Sequence, residues 1–324
     1  MFPHSLRKSL LALSSLTLLG LTPVAALSGT AEAQQVQAHH RAAAWDSVNR
    51  DYWKTFAVGL TDRATTSGSV KACRPGTLSS TDRVRQQNAI NFVRRLNHLS
   101  PVTTNNATLN KKAQAAALMM AANKTLSHFP DSSWKCYSTA GAQGAGTSNI
   151  GLGYRLGDAQ WVRLYMGDPG SGNEAVGHRR WLLYPPITTM GVGAIEDGSG
   201  VAGSAITVLG TPQSSKANNP AWVAWPSAGW FPNTLNSARW SLTAAEAGAK
   251  FDSATVKVTN LATHKAVAVK PLTPQYGYGN PTLVWTMPSG LDRTVSYGVT
   301  VDGISGASAA SHSYVVRFFT PKKP

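Results

Sequence analysis

Among the eight histidines of this 324-residue chain, two stand in settings suited to chemistry. His128 lies in Leu126-Ser127-His128-Phe129-Pro130 and His178 in Gly177-His178-Arg179-Arg180. An imidazole can accept a proton, donate one or bind a metal near neutral pH. The two are about 50 residues apart, so only a tertiary fold can bring them together. His4, His39 and His40 sit near the start of the chain. His98 falls at a predicted helix end, and His264 and His312 fall in a β-rich region. Acids between residues 83 and 195 are few: Asp131, Asp158, Asp168 and Glu174. Imidazole and carboxylate both suit zinc, so if a fold joins His128 to His178, Asp168 or Glu174 in the stretch before His178 could complete a weak divalent-metal site. No other cofactor is indicated. The sequence has no G-x-S-x-G elbow, no H-E-x-x-H and no Walker loop.

The two cysteines, Cys73 and Cys136, have neither CxxC nor zinc-type spacing. The N-terminus predicts export. Arg7 and Lys8 precede an apolar run from Leu10 to Leu21, and small residues lead to Ala31-Glu32-Ala33, an A-x-A cleavage site. The run is too short and interrupted to span a bilayer comfortably. Export to an oxidising compartment predicts a Cys73–Cys136 disulfide. It would close a loop of about 60 residues and stabilise by roughly 4 kcal/mol in the chain-entropy model. The net charge is +15, and no Lys/Arg run exceeds two residues. A nucleic-acid arm is thus not indicated, and the diffuse charge suits retention on an anionic envelope component.

The elements that must position the histidines follow from periodicity. A signal peptide over 1–33 precedes a lead-in over 34–80, in which 42–60 could hold a short helix carrying Trp45, Tyr52 and Trp53. Helices are predicted over 82–99, with Ser80 or Thr81 as cap, and over 107–126, with Asn106 as cap. A Gly/Ser/Thr-rich stretch, 138–153, breaks the pattern. Further helices are predicted from Asp158, carrying Trp161, Leu164 and Tyr165, and over 172–183. Strands follow over 188–195 and 202–209. After residue 215 the composition changes. Residues 218–232 read as an interdomain connection, and six or seven short strands between 238 and 320 predict a small β-sandwich. The fold class is thus α+β, with domains at 81–215 and 216–324.

The order of motifs resembles the CAP superfamily (cysteine-rich secretory, antigen 5 and pathogenesis-related-1 proteins), of the bacterial type with a C-terminal β domain. An Asn/Arg-rich helix, Asn88–Asn97 with Arg94 and Arg95, leads to Leu126-Ser127-His128. Ser148-Asn149-Ile150-Gly151, Trp161, Gly177-His178-Arg179-Arg180 and Gly191-Val192-Gly193 follow. The resemblance implies an α-β-α sandwich whose central cleft is faced by His128 and His178, with Ser148 and Asn149 on a neighbouring loop. Family members often place two glutamates in that cleft. Ser148 stands at one of these positions, and Leu164 lies near the other.

Three functions follow as expectations. The first is a secreted or envelope-associated, non-enzymatic module whose cleft binds a small lipid-like or cell-envelope ligand. The second is a hydrolase using His128 and His178 with water or a divalent metal, favoured by a carboxylate within hydrogen-bond reach of the imidazoles. The third is glycan binding or adhesion through the β domain, using Trp222, Trp225, Trp230, Trp240, Trp285 and the aromatic tip Tyr276-Gly277-Tyr278-Gly279. Exposed, coplanar aromatics would favour this last reading.

Overall fold

The computed structural model describes residues 42–324. The predicted signal peptide lies outside the described residues, as do His4, His39 and His40. Residues 44–324 form one compact unit. Helix α1 includes residues 44–51 and tightens through a π-helical turn, Tyr52–Phe56, and a 3-10 turn, Ala57–Gly59. Tyr52 and Phe56 pack their rings against Phe92 of α2 (Ser80–Arg95). The cap of α2 is Ser79, whose hydroxyl accepts from the Asp82 amide. Asn106 caps α3 (Ala107–Asn123) in the same way, accepting from Leu109.

The stretch expected to break the helical pattern instead contains α4 (Thr139–Thr147) and β1 (Ser148–Tyr154). Glycine weakens an isolated helix, but here it permits close approach: a Cβ on Gly144 would collide with the Lys112 carbonyl of α3. After α5 (Asp158–Gly167), the helix expected over 172–183 is shortened to α6 (Gly177–Leu182), because Val176 takes a left-handed conformation at φ 46°.

Strands β2 (Gly191–Glu196) and β3 (Val201–Thr207) join β1 in an antiparallel sheet of order β1-β3-β2. Its side chains alternate between two apolar layers, as strand geometry requires. Val192, Ala194, Ala202 and Ile206 join the core holding Ile90, Phe92 and Trp161 of α2 and α5. Ala205 and Ile150 pack instead with Ala113, Ala116, Met119 and Ala145 of α3 and α4. Gly193 lets the backbone of α3 lie against the sheet, since a Cβ there would collide with the Gln114 backbone. The result is an α-β-α sandwich.

The stretch read as an interdomain connection is structured. It holds β4 (Trp222–Trp225) and β5 (Gly229–Pro232), one for each sheet of a sandwich. With β6 (Arg239–Ala244), β7 (Thr255–Asn260), β8 (Ala266–Val267), β9 (Lys270–Pro271), β10 (Thr282–Thr286), β11 (Ser296–Asp302) and β12 (Ser311–Phe319), these form sheets of order β4-β6-β10-β9 and β5-β12-β11-β7-β8. Trp240 of β6 packs against Tyr297 and Phe318 of the facing sheet.

The change of architecture near residue 215 is not a gap in packing. One apolar core runs from Phe92 and Trp161 through Trp225 and Trp240 to Val316. Polar staples cross it as well. The Asn97 side-chain oxygen Oδ1 accepts from the Ala224 amide at 2.9 Å, and Asn49 exchanges two hydrogen bonds with the backbone of Lys322. Cys73 and Cys136 form a disulfide with Cα atoms 4.9 Å apart, tying the hairpin before α2 to the loop after α3. Among the described residues no helix is long and apolar enough to cross a membrane.

Candidate functional site

His128 and His178 line one open cleft of about 420 Å³. Its walls come from the loop after α3, the junction of α4 and β1, the start of α6, the segment after β3, and the β9–β10 loop of the C-terminal sandwich. Ser148 and Asn149 lie on its floor. The apolar lining comes from Phe129, Trp181, Val208, Leu209 and Tyr278. Phe129 is 88% exposed, a large apolar ring left to solvent at the mouth.

Each imidazole is oriented by its Nδ1 atom. His128 Nδ1 lies 2.8 Å from the Ala145 carbonyl at the end of α4. A carbonyl can only accept, so Nδ1 carries the proton and Nε2 is left with its lone pair in the neutral ring. His178 Nδ1 lies 2.7 Å from Asp168 Oδ1, while Asp168 Oδ2 accepts from the His178 amide at 3.0 Å. Asp168 caps the end of α5 in a left-handed turn, φ 48°, which folds its carboxylate back toward α6. It is buried, at 1% exposure. The Asn149 amide donates to the His178 carbonyl at 3.0 Å, and the Tyr165 ring lies 5.4 Å from the imidazole. The Tyr165 hydroxyl donates to the Ser204 carbonyl, and burial pushes its phenol upward, so it stays neutral.

Three arginines fix this wall to the C-terminal sandwich. Arg239 of β6 donates to the carbonyls of Asp168, Gly170 and Asn173, and so braces the loop that carries the carboxylate. Arg179 is fully buried and bridges Met166 to Ser237, Ser241 and the Arg239 carbonyl. Desolvation draws its guanidinium down to about 9, which still leaves it charged at neutral pH. Arg180 reaches the Gln275 and Asn280 carbonyls on either side of the aromatic tip and stacks on Tyr278 at 5.4 Å. Tyr278 is thereby held against Gly177, where a Cβ would crowd its ring. Arg94, on the Asn/Arg-rich face of α2, does not line the cleft. It donates to the carbonyls of Ser100, Leu182, Tyr184, Pro185 and Ile187 and clamps the segment after α6.

His128, His178, Ser148 and Asn149 all line this one cleft. Asp168 is near His178, but as its hydrogen-bond partner, with both oxygens committed. Glu174 is exposed and lies off the cleft. Leu164 lines a different cavity, and Tyr165 is the α5 residue beside His178. Among the described residues no group of three His, Cys, Asp or Glu side chains is placed to hold a metal ion. The donor set therefore does not fit a tightly held divalent cation. The Ser148 hydroxyl is buried and paired with Thr207 at 3.0 Å. Trp225, Trp240 and Trp285 are wholly buried in the core, whereas Trp222, stacked on His312, and Trp230, edge-on to Phe319, are half-buried. The roles of Arg239, Arg179 and Tyr278 were missed. Arg179 stands in the Gly177-His178-Arg179-Arg180 motif and Tyr278 in an aromatic loop tip, while Arg239 carries no sequence signal.

An α-β-α sandwich with paired histidines in an open cleft, closed on one side by a β-sandwich, defines the class of protein. Residues 87–209 match the sequence model of CAP, the cysteine-rich secretory protein family, so this part of the chain is a CAP domain. The matched segment holds both histidines and Asp168, and Tyr278 lies beyond it. No curated protein matches the chain.

Proposed function

We propose that this is an exported binding module whose cleft holds a small lipid-like or cell-envelope ligand without turning it over. The observation that carries the reading is the state of the cleft's polar groups. The imidazole Nδ1 atoms, the Ser148 hydroxyl and the Asn149 amide are engaged internally, leaving the Nε2 atoms to meet a ligand beside an apolar wall. Neither cysteine is a free thiol, and the Ser148 hydroxyl is paired with Thr207, so these residues are not activated nucleophiles. The disulfide supports export to an oxidising compartment, and the net charge of +15 supports retention on an anionic envelope component. Glycan binding through the β region is less well supported, since Trp225, Trp240 and Trp285 are wholly buried. A metal-free hydrolase is the second reading, favoured by the Asp168–His178 contact, which orients the imidazole as a base for water. Incubation of the protein with a total envelope lipid extract, followed by native mass spectrometry, separates them. A retained, chemically unchanged small molecule that is lost in Tyr278→Ala and His178→Ala supports the binding reading. Released hydrolysis products that vanish in Asp168→Asn would replace it with the second.

A further inference from the structure

A small cavity of about 10 Å³ lies where α6 meets the C-terminal sandwich. Arg179 and Arg180 of α6, Ser241 and Thr243 of β6 and Asn280 before β10 wall it, and Leu183 and Val223 supply apolar surface. It shares no lining residue with the histidine cleft. Room of this size holds one water-sized particle. A phosphate or a sugar does not fit.

Both arginines are buried, at 1% and 5% exposure. A buried charge is normally matched by one of opposite sign. Yet every hydrogen bond that these guanidinium groups make goes to a neutral oxygen. No acid lines the cavity. Asp168 attracts Arg179, but both its oxygens are committed to His178, and Arg239 adds a third positive charge. Desolvation draws Arg180 down to about 10, so it too stays charged at neutral pH.

Two donors are left over on this wall. The Arg180 Nε–H is buried and has no partner among the described residues. Arg94, comparably buried, spends all three of its nitrogens on carbonyls. Ser241 Oγ accepts from Arg179 at 3.0 Å, so its own proton is free for another partner. The Thr243 hydroxyl is spent on Thr282, which donates in turn to the Asn280 carbonyl. A water would satisfy the Nε–H but not the charge, whereas a monatomic anion answers both. From the buried Arg179–Arg180 pair with its unclaimed Nε–H and the Ser241 hydroxyl, we infer a binding site for a single halide ion at the junction of the CAP domain and the sandwich.

Crystals of the full chain grown in sodium bromide, with diffraction recorded at the bromine absorption edge, test this directly. An anomalous peak is expected beside Arg180 Nε. Density there without anomalous signal would identify a water and overturn the inference. In solution, sodium chloride should raise Tm above its value in sodium gluconate of equal ionic strength, and the gain should follow a one-site binding curve. Ser241→Val removes the hydroxyl proton and adds bulk to the wall. It should weaken the apparent chloride affinity at least about tenfold, the scale of one lost hydrogen bond to a charged group. A gain that persists unchanged in this variant would assign the effect to halides on the basic surface and overturn the site. The bromide measurement needs no variant, so it decides the matter if Ser241→Val fails to fold.

Discussion

Asp158 opens α5 with its carboxyl fully buried, one oxygen receiving the Gln86 amide at 3.1 Å and the carboxyl, when protonated, donating to Asp82. Burial pushes this carboxyl up to about 8, with the Asp82 carboxyl adding to the rise. Asp82 is held below its usual value by hydrogen bonds from Ser79 and Thr65, against the opposing cost of burial. The two carboxyls therefore divide their roles, Asp82 ionised and Asp158 protonated at neutral pH. A carboxyl raised in the fold binds more protons folded than unfolded. Its stabilisation is complete below the unfolded value near 3.8 and is lost as pH rises toward 8. Each pH unit in that window removes about 1.4 kcal/mol. Between pH 5.5 and 7.5 the loss is on the order of 3 kcal/mol. Asp82 works in the opposite sense, but its contribution is lost only below its ordinary range, at acid pH. Asp158→Asn keeps the shape, remains neutral at every pH and can still donate to Asp82. The measurement is urea unfolding of both proteins across this range. The difference between them should slope with pH, the asparagine variant gaining relative stability as pH rises. Parallel curves would refute a buried, protonated Asp158.

Gly144→Val should destabilise the protein by about 2 kcal/mol or more, read by urea unfolding, because the added side chain meets the Lys112 carbonyl of α3 rather than open space. Residues 44–324 are expected to unfold in one calorimetric transition despite the two architectures, since the core and the Arg179 bridges cross between them; two separate transitions would restore independent domains at the 215 boundary. Zinc should bind weakly and without defined stoichiometry, because Asp168 is committed to His178 and Glu174 lies off the cleft; tight binding lost in both His128→Ala and His178→Ala would contradict this.

The legible part of the molecule was carried by local rules. Caps at Asn106 and near Ser80, the spacing of Ala89, Phe92, Val93 and Leu96, and alternation in β7 and β11 all operate within a few residues. The ordered motifs placed His128, Ser148, Asn149 and His178 in one cleft. The losses occurred where tertiary packing overrides propensity. Gly141 and Gly144 argue against a helix in isolation, yet α3 requires them small. Trp222–Trp225 and Gly229–Pro232 read as a linker because proline and glycine dominate their surroundings, yet each strand pairs within a different sheet. The sequence offers Asp168 as a candidate acid and Tyr278 as part of an aromatic tip but not their placement, since a left-handed turn aims one and Arg180 holds the other. No periodicity encodes either placement.

The central claim is that the histidine cleft is a joint product of the CAP domain and the C-terminal sandwich. Nitrogen-15 NMR of the histidine side chains, assigned with His128→Gln and His178→Gln, tests it most directly. Both rings should report a protonated Nδ1 and a bare Nε2 at pH 8. Replacing Tyr278 by tryptophan should move the His178 and His128 signals and leave His264 and His312 in place, because Tyr278 shares the cleft with only the first two. If His178 is unmoved by that substitution, the β9–β10 loop does not close the cleft, and the two halves of the chain work apart.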